Sequence, residues 1–135
     1  MPLVDWALTC DFAYFDPTGR LCVIGADANG LRTVASGVHR LTLVAHLAEY
    51  RDERLDPVLA LRSPDGEWRV EHEGADYTRE RRGDSLLLHL PRIQLSEPGT
   101  YHFELALGTA TATMLDLRVA VRESRYQRVQ LHGAY

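Results

Sequence analysis

Apolar and polar residues alternate with a period of two along most of the chain, the spacing of half-buried β-strands. Val4, Trp6, Leu8, Cys10 and Phe12 form one stripe, with Asp5, Thr9 and Asp11 between them. The turn Asp16-Pro17-Thr18-Gly19 follows, and Leu21-Cys22-Val23-Ile24 continues beyond it. Proline presets φ there and glycine accepts positive φ, so the segment predicts a hairpin. Ala26 to Arg32, containing Asn29-Gly30, reads as a loop, and Val38 to Leu47 as a long strand. A charged connector, Arg51 to Asp56, comes next, with one helical turn expected over Tyr50 to Leu55. Val58 to Leu61 and Trp68 to Val70 flank a second hairpin turn, Ser63-Pro64-Asp65-Gly66. Gly74 to Asp84 is polar and reads as a long exposed loop. Leu86 to Leu90 is a strand that Pro91 ends. After Ser96-Glu97-Pro98-Gly99, Tyr101, Phe103, Leu105 and Leu107 alternate strictly with His102, Glu104 and Ala106. A last strand runs from Thr111 to Val121.

This pattern predicts about eight strands and no amphipathic helix of ordinary length. The expected fold is all-β: a single antiparallel β-sandwich, immunoglobulin-like or jelly-roll-like. A closed barrel shares the same alternation and is the runner-up. With 135 residues and no linker-like stretch, one domain over 1–135 is expected, with 122–135 as a C-terminal extension.

Composition narrows the function classes. The formal net charge of -4 opposes a general nucleic-acid or anionic-membrane binder. No window approaches the length of apolar residues a membrane helix needs. Met1 to Trp6 has no basic region, and Asp5 and Asp11 interrupt any apolar run, unlike a secretory signal. If Phe15 pairs with Arg20, Ala13 faces Cys22 and Cys10 faces Gly25. The two thiols then point to opposite faces, and a disulfide between them is not expected. Free thiols suit a reducing cytoplasm.

Two motifs carry a resemblance. Leu95-Ser96-Glu97-Pro98-Gly99-Thr100-Tyr101-His102-Phe103 is similar to the penultimate strand of many sandwich domains, which gives Tyr101 the tyrosine-corner role. Asp11-Phe12-Ala13-Tyr14-Phe15-Asp16, followed by Gly19-Arg20-Leu21-Cys22-Val23-Ile24-Gly25-Ala26, resembles the opening hairpin of a family of uncharacterised small bacterial β-sandwich proteins. Arg20 stands where that pattern usually has lysine. The resemblance spans about Asp5 to Val121 and implies the fold; it implies no activity.

Candidate chemistry is sparse. His39 and His46 are an odd number of residues apart, so a regular strand sets them on opposite faces. His89 and His102 are candidates for cross-strand neighbours. Glu71-His72-Glu73 has metal-binding residue types, yet adjacent strand residues diverge and no further ligand sits at a usual spacing. Asp27, Asn29 and Gly30 faintly resemble a calcium loop without its downstream glutamate. The segment Gly25 to Gly30 lacks the lysine of a phosphate loop, and no nucleophile elbow is found. Cys10, between Leu8 and Phe12, reads as an inert core thiol. No catalytic residue, metal or cofactor is therefore expected.

All 15 basic residues are arginine. Most are scattered on polar strand positions, as coding bias would leave them. Two groups stand out: Arg79, Arg81 and Arg82 in the polar loop, and Arg118, Arg122, Arg125 and Arg128 towards the C-terminus, with Tyr126 among them. Arginine forks hold carboxylates and stack on aromatic rings, so Arg79, Arg81, Arg82, Arg122, Arg125, Tyr126 and Arg128 form the candidate partner surface. The leading functional reading is a non-enzymatic accessory or assembly module acting through protein contacts. Its partner is another protein or a second copy, reached through an edge strand or the C-terminal segment. Membrane and nucleic-acid partners are not expected. The alternative is a small-ligand or carbohydrate module using Trp6 and Trp68; a metal enzyme built on Glu71, His72 and Glu73 ranks below it.

Overall fold

Tight turns decide where the strands begin. Asp16 Oδ1 accepts hydrogen bonds from the Thr18 amide at 2.9 Å, the Thr18 hydroxyl at 2.7 Å and the Arg20 amide at 2.9 Å. The Asp16 amide donates to the Arg20 carbonyl, and Gly19, at φ 87°, closes the turn. Asp65 does the same work at the second turn, accepting from the Ser63 hydroxyl and the Glu67 amide. These contacts hold both carboxyls below their usual range, the neighbouring hydroxyls contributing most.

The computed structural model describes residues 4–48, 56–67, 69–73, 76–80, 84–108 and 110–122. The strands are β1 Val4–Cys10, β2 Phe12–Phe15, β3 Leu21–Ile24, β4 Leu31–Ala35, β5 Val38–Leu47 and β6 Pro57–Arg62. They continue as β7 Arg69–Glu73, β8 Asp76–Arg79, β9 Ser85–Gln94, β10 Gly99–Leu107 and β11 Ala110–Arg122. The first sheet has the order β1-β5-β9-β8 and the second β4-β11-β10-β6-β7; β2 and β3 pair only with each other. Chain order alternates between sheets, with hairpins β6–β7, β8–β9 and β10–β11. This is the Greek-key order of an immunoglobulin-like sandwich, with β7 added beside β6 as in the variable type.

The two sheets bury one shared core. Leu41, Leu43, Ala45 and Leu47 from β5 and Leu86, Leu88 and Leu90 from β9 meet Leu59, Leu61, Tyr101, Phe103, Leu105, Leu117 and Val119 from the second sheet. Each large side chain there contributes roughly 1.5–3 kcal/mol by leaving water. Tyr101 is fully buried, yet its hydroxyl donates to the Glu97 carbonyl at 2.8 Å and accepts from the Glu97 amide at 3.2 Å. That is the expected tyrosine corner. Burial raises the Tyr101 phenol above its ordinary range. At the adjoining turn a Cβ on Gly99, whose φ is 130°, would lie 2.7 Å from Pro64, so glycine lets the second turn pack against the start of β10.

Several expectations are corrected. There are two separate sheets with distinct edges, not a closed barrel, and one pairing is parallel, β4 with β11. The described residues form eleven strands. The extra ones are β4, whose first two residues fall in the expected loop and whose other three had no expected element; β8, inside the expected polar loop; and β2, which separates from β1 at Asp11. A bulge at Asp5 turns the first stripe over: Val4 opposes Leu47 in the core, while Trp6 opposes His46 on the outer face. Pro91 does not end β9. It sits where Pro91 and Arg92 together oppose Arg40, a bulge that needs no donor from proline. The first hairpin has a three-residue loop ending in positive-φ Gly19, which pairs Phe15 with Leu21 and Tyr14 with Cys22, one residue away from the expected register. The helical turn expected over Tyr50 to Leu55 lies outside the described residues.

Tyr101→Phe removes one donor and leaves the Glu97 carbonyl and amide without their partner. Urea unfolding is expected to show a loss of about 1–2 kcal/mol, with no change in m-value; an unchanged midpoint would remove the corner from the account.

Candidate functional site

The outer face of the first sheet is the unusual part of this sandwich. An exposed sheet face normally alternates buried and polar residues, but Leu41 to Ala45 and Ser85 to Leu88 are buried at every position. Their second set faces outward and meets the β2–β3 hairpin. Cys10, Ala13, Val44 and Leu87 form a small second core there, with Leu8, Phe15, Leu21 and Val23 packed around it. The Cys10 thiol donates to the Thr42 carbonyl at 3.5 Å.

Charge ties the same hairpin to the second sheet. Arg32 on β4 is only 10% exposed and holds both Asp27 carboxylate oxygens through Nε, at 2.9 and 3.0 Å. Asp27 also accepts from the Thr9 hydroxyl at 2.5 Å, and its amide donates to the Thr9 carbonyl. Arg32 Nη2 lies 3.0 Å from Asp11, outside hydrogen-bonding geometry. Asp11 in turn donates its amide to Ile24. Gly25 is at φ 69°, and a side chain there would overlap the Asp11 carboxylate. Breaking such a buried pair by deleting one member strands the other charge.

Beside the hairpin, a cleft of about 450 Å³ opens between β2 and the outer face of β5, β8 and β9. Phe12, Tyr14, Arg40, Thr42, Thr78 and His89 supply most of its character. The His89 ring lies 3.4 Å from the Thr42 hydroxyl on one side and 3.4 Å from the Thr78 hydroxyl on the other. Phe12 stacks on its face, ring centres 6.2 Å apart, and on Tyr14 at 5.8 Å. Hydrogen bonding to Cys22, its cross-strand partner, raises the Tyr14 phenol above its ordinary range. A second, more polar cleft of about 500 Å³ is bordered by Asp11, Asp27, Arg32, His39 and Arg122.

Residues 5–120 match the family of unknown function DUF6941. The chain belongs to this family. None of the curated proteins matches it. The residues that carried the sequence resemblance within DUF6941 now have physical roles in this chain. Asp11 neighbours Arg32, Ala13 fills the second core, Asp16 caps the turn, and Gly25 leaves room for Asp11. These are devices for mounting the hairpin.

Two of the candidate arginines, Arg79 and Arg122, lie among the described residues. Arg79 belongs to edge strand β8, paired with Leu86, and not to a loop. Arg122 ends β11 at the polar cleft. Arg81, Arg82, Arg125, Tyr126 and Arg128 lie outside the described residues, as does Trp68. His89 and His102 are not neighbours, because they belong to different sheets. His102 bonds Asp116 at 2.6 Å and His46 approaches Asp5 at 3.2 Å. Trp6 is 44% exposed, but one ring face is taken by His46 at 5.6 Å. Among the described residues no helix is long and apolar enough to cross a membrane. Sequence reasoning missed Arg40, Phe12 and His89 as one site. The only available signal was the unbroken apolar runs of β5 and β9, which imply a cover on the outer face.

Both cysteines are free. Burial pushes the Cys10 thiol from its ordinary 9.0 to about 11, with Arg32 pulling the other way. Thiol labelling at pH 8 is expected to reach half-buried Cys22 first and fully buried Cys10 only much later. Because the folded value is the higher one, Cys10 supports the fold fully below pH 9 and loses that contribution as pH rises towards 11. The urea midpoint should fall more over that window in the wild type than in Cys10→Ala; equal falls would contradict this.

Proposed function

We propose that the chain is a non-enzymatic accessory or assembly module that works through protein contacts, joining a second copy of itself along β7. The observation that carries this reading is Val70. It opposes Leu61, which is 2% exposed in the core, yet Val70 remains 43% exposed because β7 is the sheet's last strand. A strand added beyond β7 would cover it.

Both edges of the first sheet are less suited. β1 carries a bulge, β8 has four residues, and both devices discourage strand addition. β7 pairs with β6 in unbroken register. Its exposed residues are also self-complementary. An antiparallel twofold pairing that sets Val70 against its own copy sets Arg69 against the partner's Glu71, and Glu71 against the partner's Arg69. Within one chain Arg69 already pairs with Glu71 and lies 3.6 Å from Glu104, so no new charge type is introduced. The absence of a nucleophile elbow or phosphate loop in the sequence supports a non-enzymatic role, and the two free thiols suit the cytoplasm.

Light scattering coupled to size exclusion at about 100 µM protein is expected to give the mass of a dimer. Arg69→Glu and Glu71→Arg should each weaken dimerisation about tenfold by facing like charges, and the double variant should restore it. A wild-type monomer, or a dimer indifferent to either single change, would overturn the reading.

A further inference from the structure

We propose that the cleft between the β2–β3 hairpin and the first sheet binds a small planar aromatic anion, an aromatic carboxylate by class. The site is separate from the β7 edge and does not depend on it. Its volume of about 450 Å³ lies in the range of small-ligand sites. One wall is aromatic. Phe12 and Tyr14 are 44% and 42% exposed, although the hairpin that carries them is anchored by a buried core. Nothing in the packing of that core needs them. They form a ready stacking surface held on a rigid element, which the His89 ring, itself stacked on Phe12, extends.

The opposite lining supplies the charge. Arg40 is exposed in the cleft, and none of the ion pairs among the described residues engages it. It stands at the bulge where one β5 residue opposes Pro91 and Arg92, a device that re-aims a side chain out of the regular ladder. Thr42 and Thr78 bring hydroxyls that donate as readily as they accept, with His89 between them. A ring lying against Phe12 and Tyr14 with its carboxylate turned to the Arg40 fork uses each of these groups once. A guanidinium recognises a carboxylate through two parallel N–H donors, which a neutral amide of the same shape cannot match. The cleft therefore selects on two properties, planarity and negative charge.

The test is a titration of the ¹⁵N-labelled protein with benzoate, followed by amide shifts. Benzamide serves as the neutral isostere and cyclohexanecarboxylate as the non-planar anion. Benzoate is expected to shift Thr42, Thr78 and His89 in a saturable way at millimolar concentration, as a fragment of that size should. Benzamide and cyclohexanecarboxylate should each bind about tenfold more weakly. Arg40→Gln should bring benzoate down to the benzamide level, and Phe12→Leu should weaken both aromatic probes. The rest of each variant's spectrum reports that it is folded. Benzoate shifts that stay linear or fall elsewhere would overturn the site. Equal binding of the three probes, or of benzoate to Arg40→Gln and wild type, would overturn the ligand class.

Discussion

Burial of Ala13 under the first hairpin, against Cys10, Val44 and Leu87, is the contact on which the outer half of the molecule depends. An immunoglobulin-like sandwich needs only one apolar face per sheet. Here the first sheet has two, and the second would face water if the hairpin were not seated on it. Alanine matters at this place because the hairpin backbone comes close to the sheet; a larger side chain would lift it. The Arg32–Asp27 pair then fixes the hairpin's stem from the side of the second sheet, with Thr9 completing the carboxylate's bonds. Apolar contact supplies the attraction, and the ion pair supplies the direction.

That arrangement leaves two distinct surfaces. The hairpin covers part of the outer face, while at the β7 edge Val70, opposite the core residue Leu61, stays uncovered. The same cover leaves a gap at its rim, where two aromatic side chains overhang a floor of hydroxyls, imidazole and guanidinium. One structural device thus produces both a closed face and a cleft.

How much of this was legible in the sequence depends on how local each cause is. The core face of β10 was readable, since it alone meets the core and Tyr101, Phe103, Leu105 and Leu107 alternate without a break, although the strand begins at Gly99, inside the expected turn. The proline–glycine turns and the tyrosine corner were equally local. β4 was not, because only Val34 of its five residues is buried and the strand exists through parallel pairing with β11, some ninety residues on. β8 is hidden in the same way, being short, polar and dependent on β9. The register of the first hairpin turned on whether Gly19 added a third loop residue. The cleft escaped altogether: Phe12, Arg40, Thr78 and His89 come from four strands and share no motif. What the sequence did contain was a contradiction to the simple alternation, in Leu86-Leu87-Leu88, and a strand buried on both faces was its explanation.

Native-state hydrogen exchange of the β2–β3 ladder tests this account most directly. If the hairpin is held by its own core and by Arg32, the amides of Tyr14 and Cys22, a hydrogen-bonded pair of that ladder, should exchange only with openings nearly as costly as those that expose β5 and β9. Arg32→Met should lower the hairpin's protection selectively. Hairpin amides that exchange at the rate of an open loop, while β5 and β9 stay protected, would contradict it.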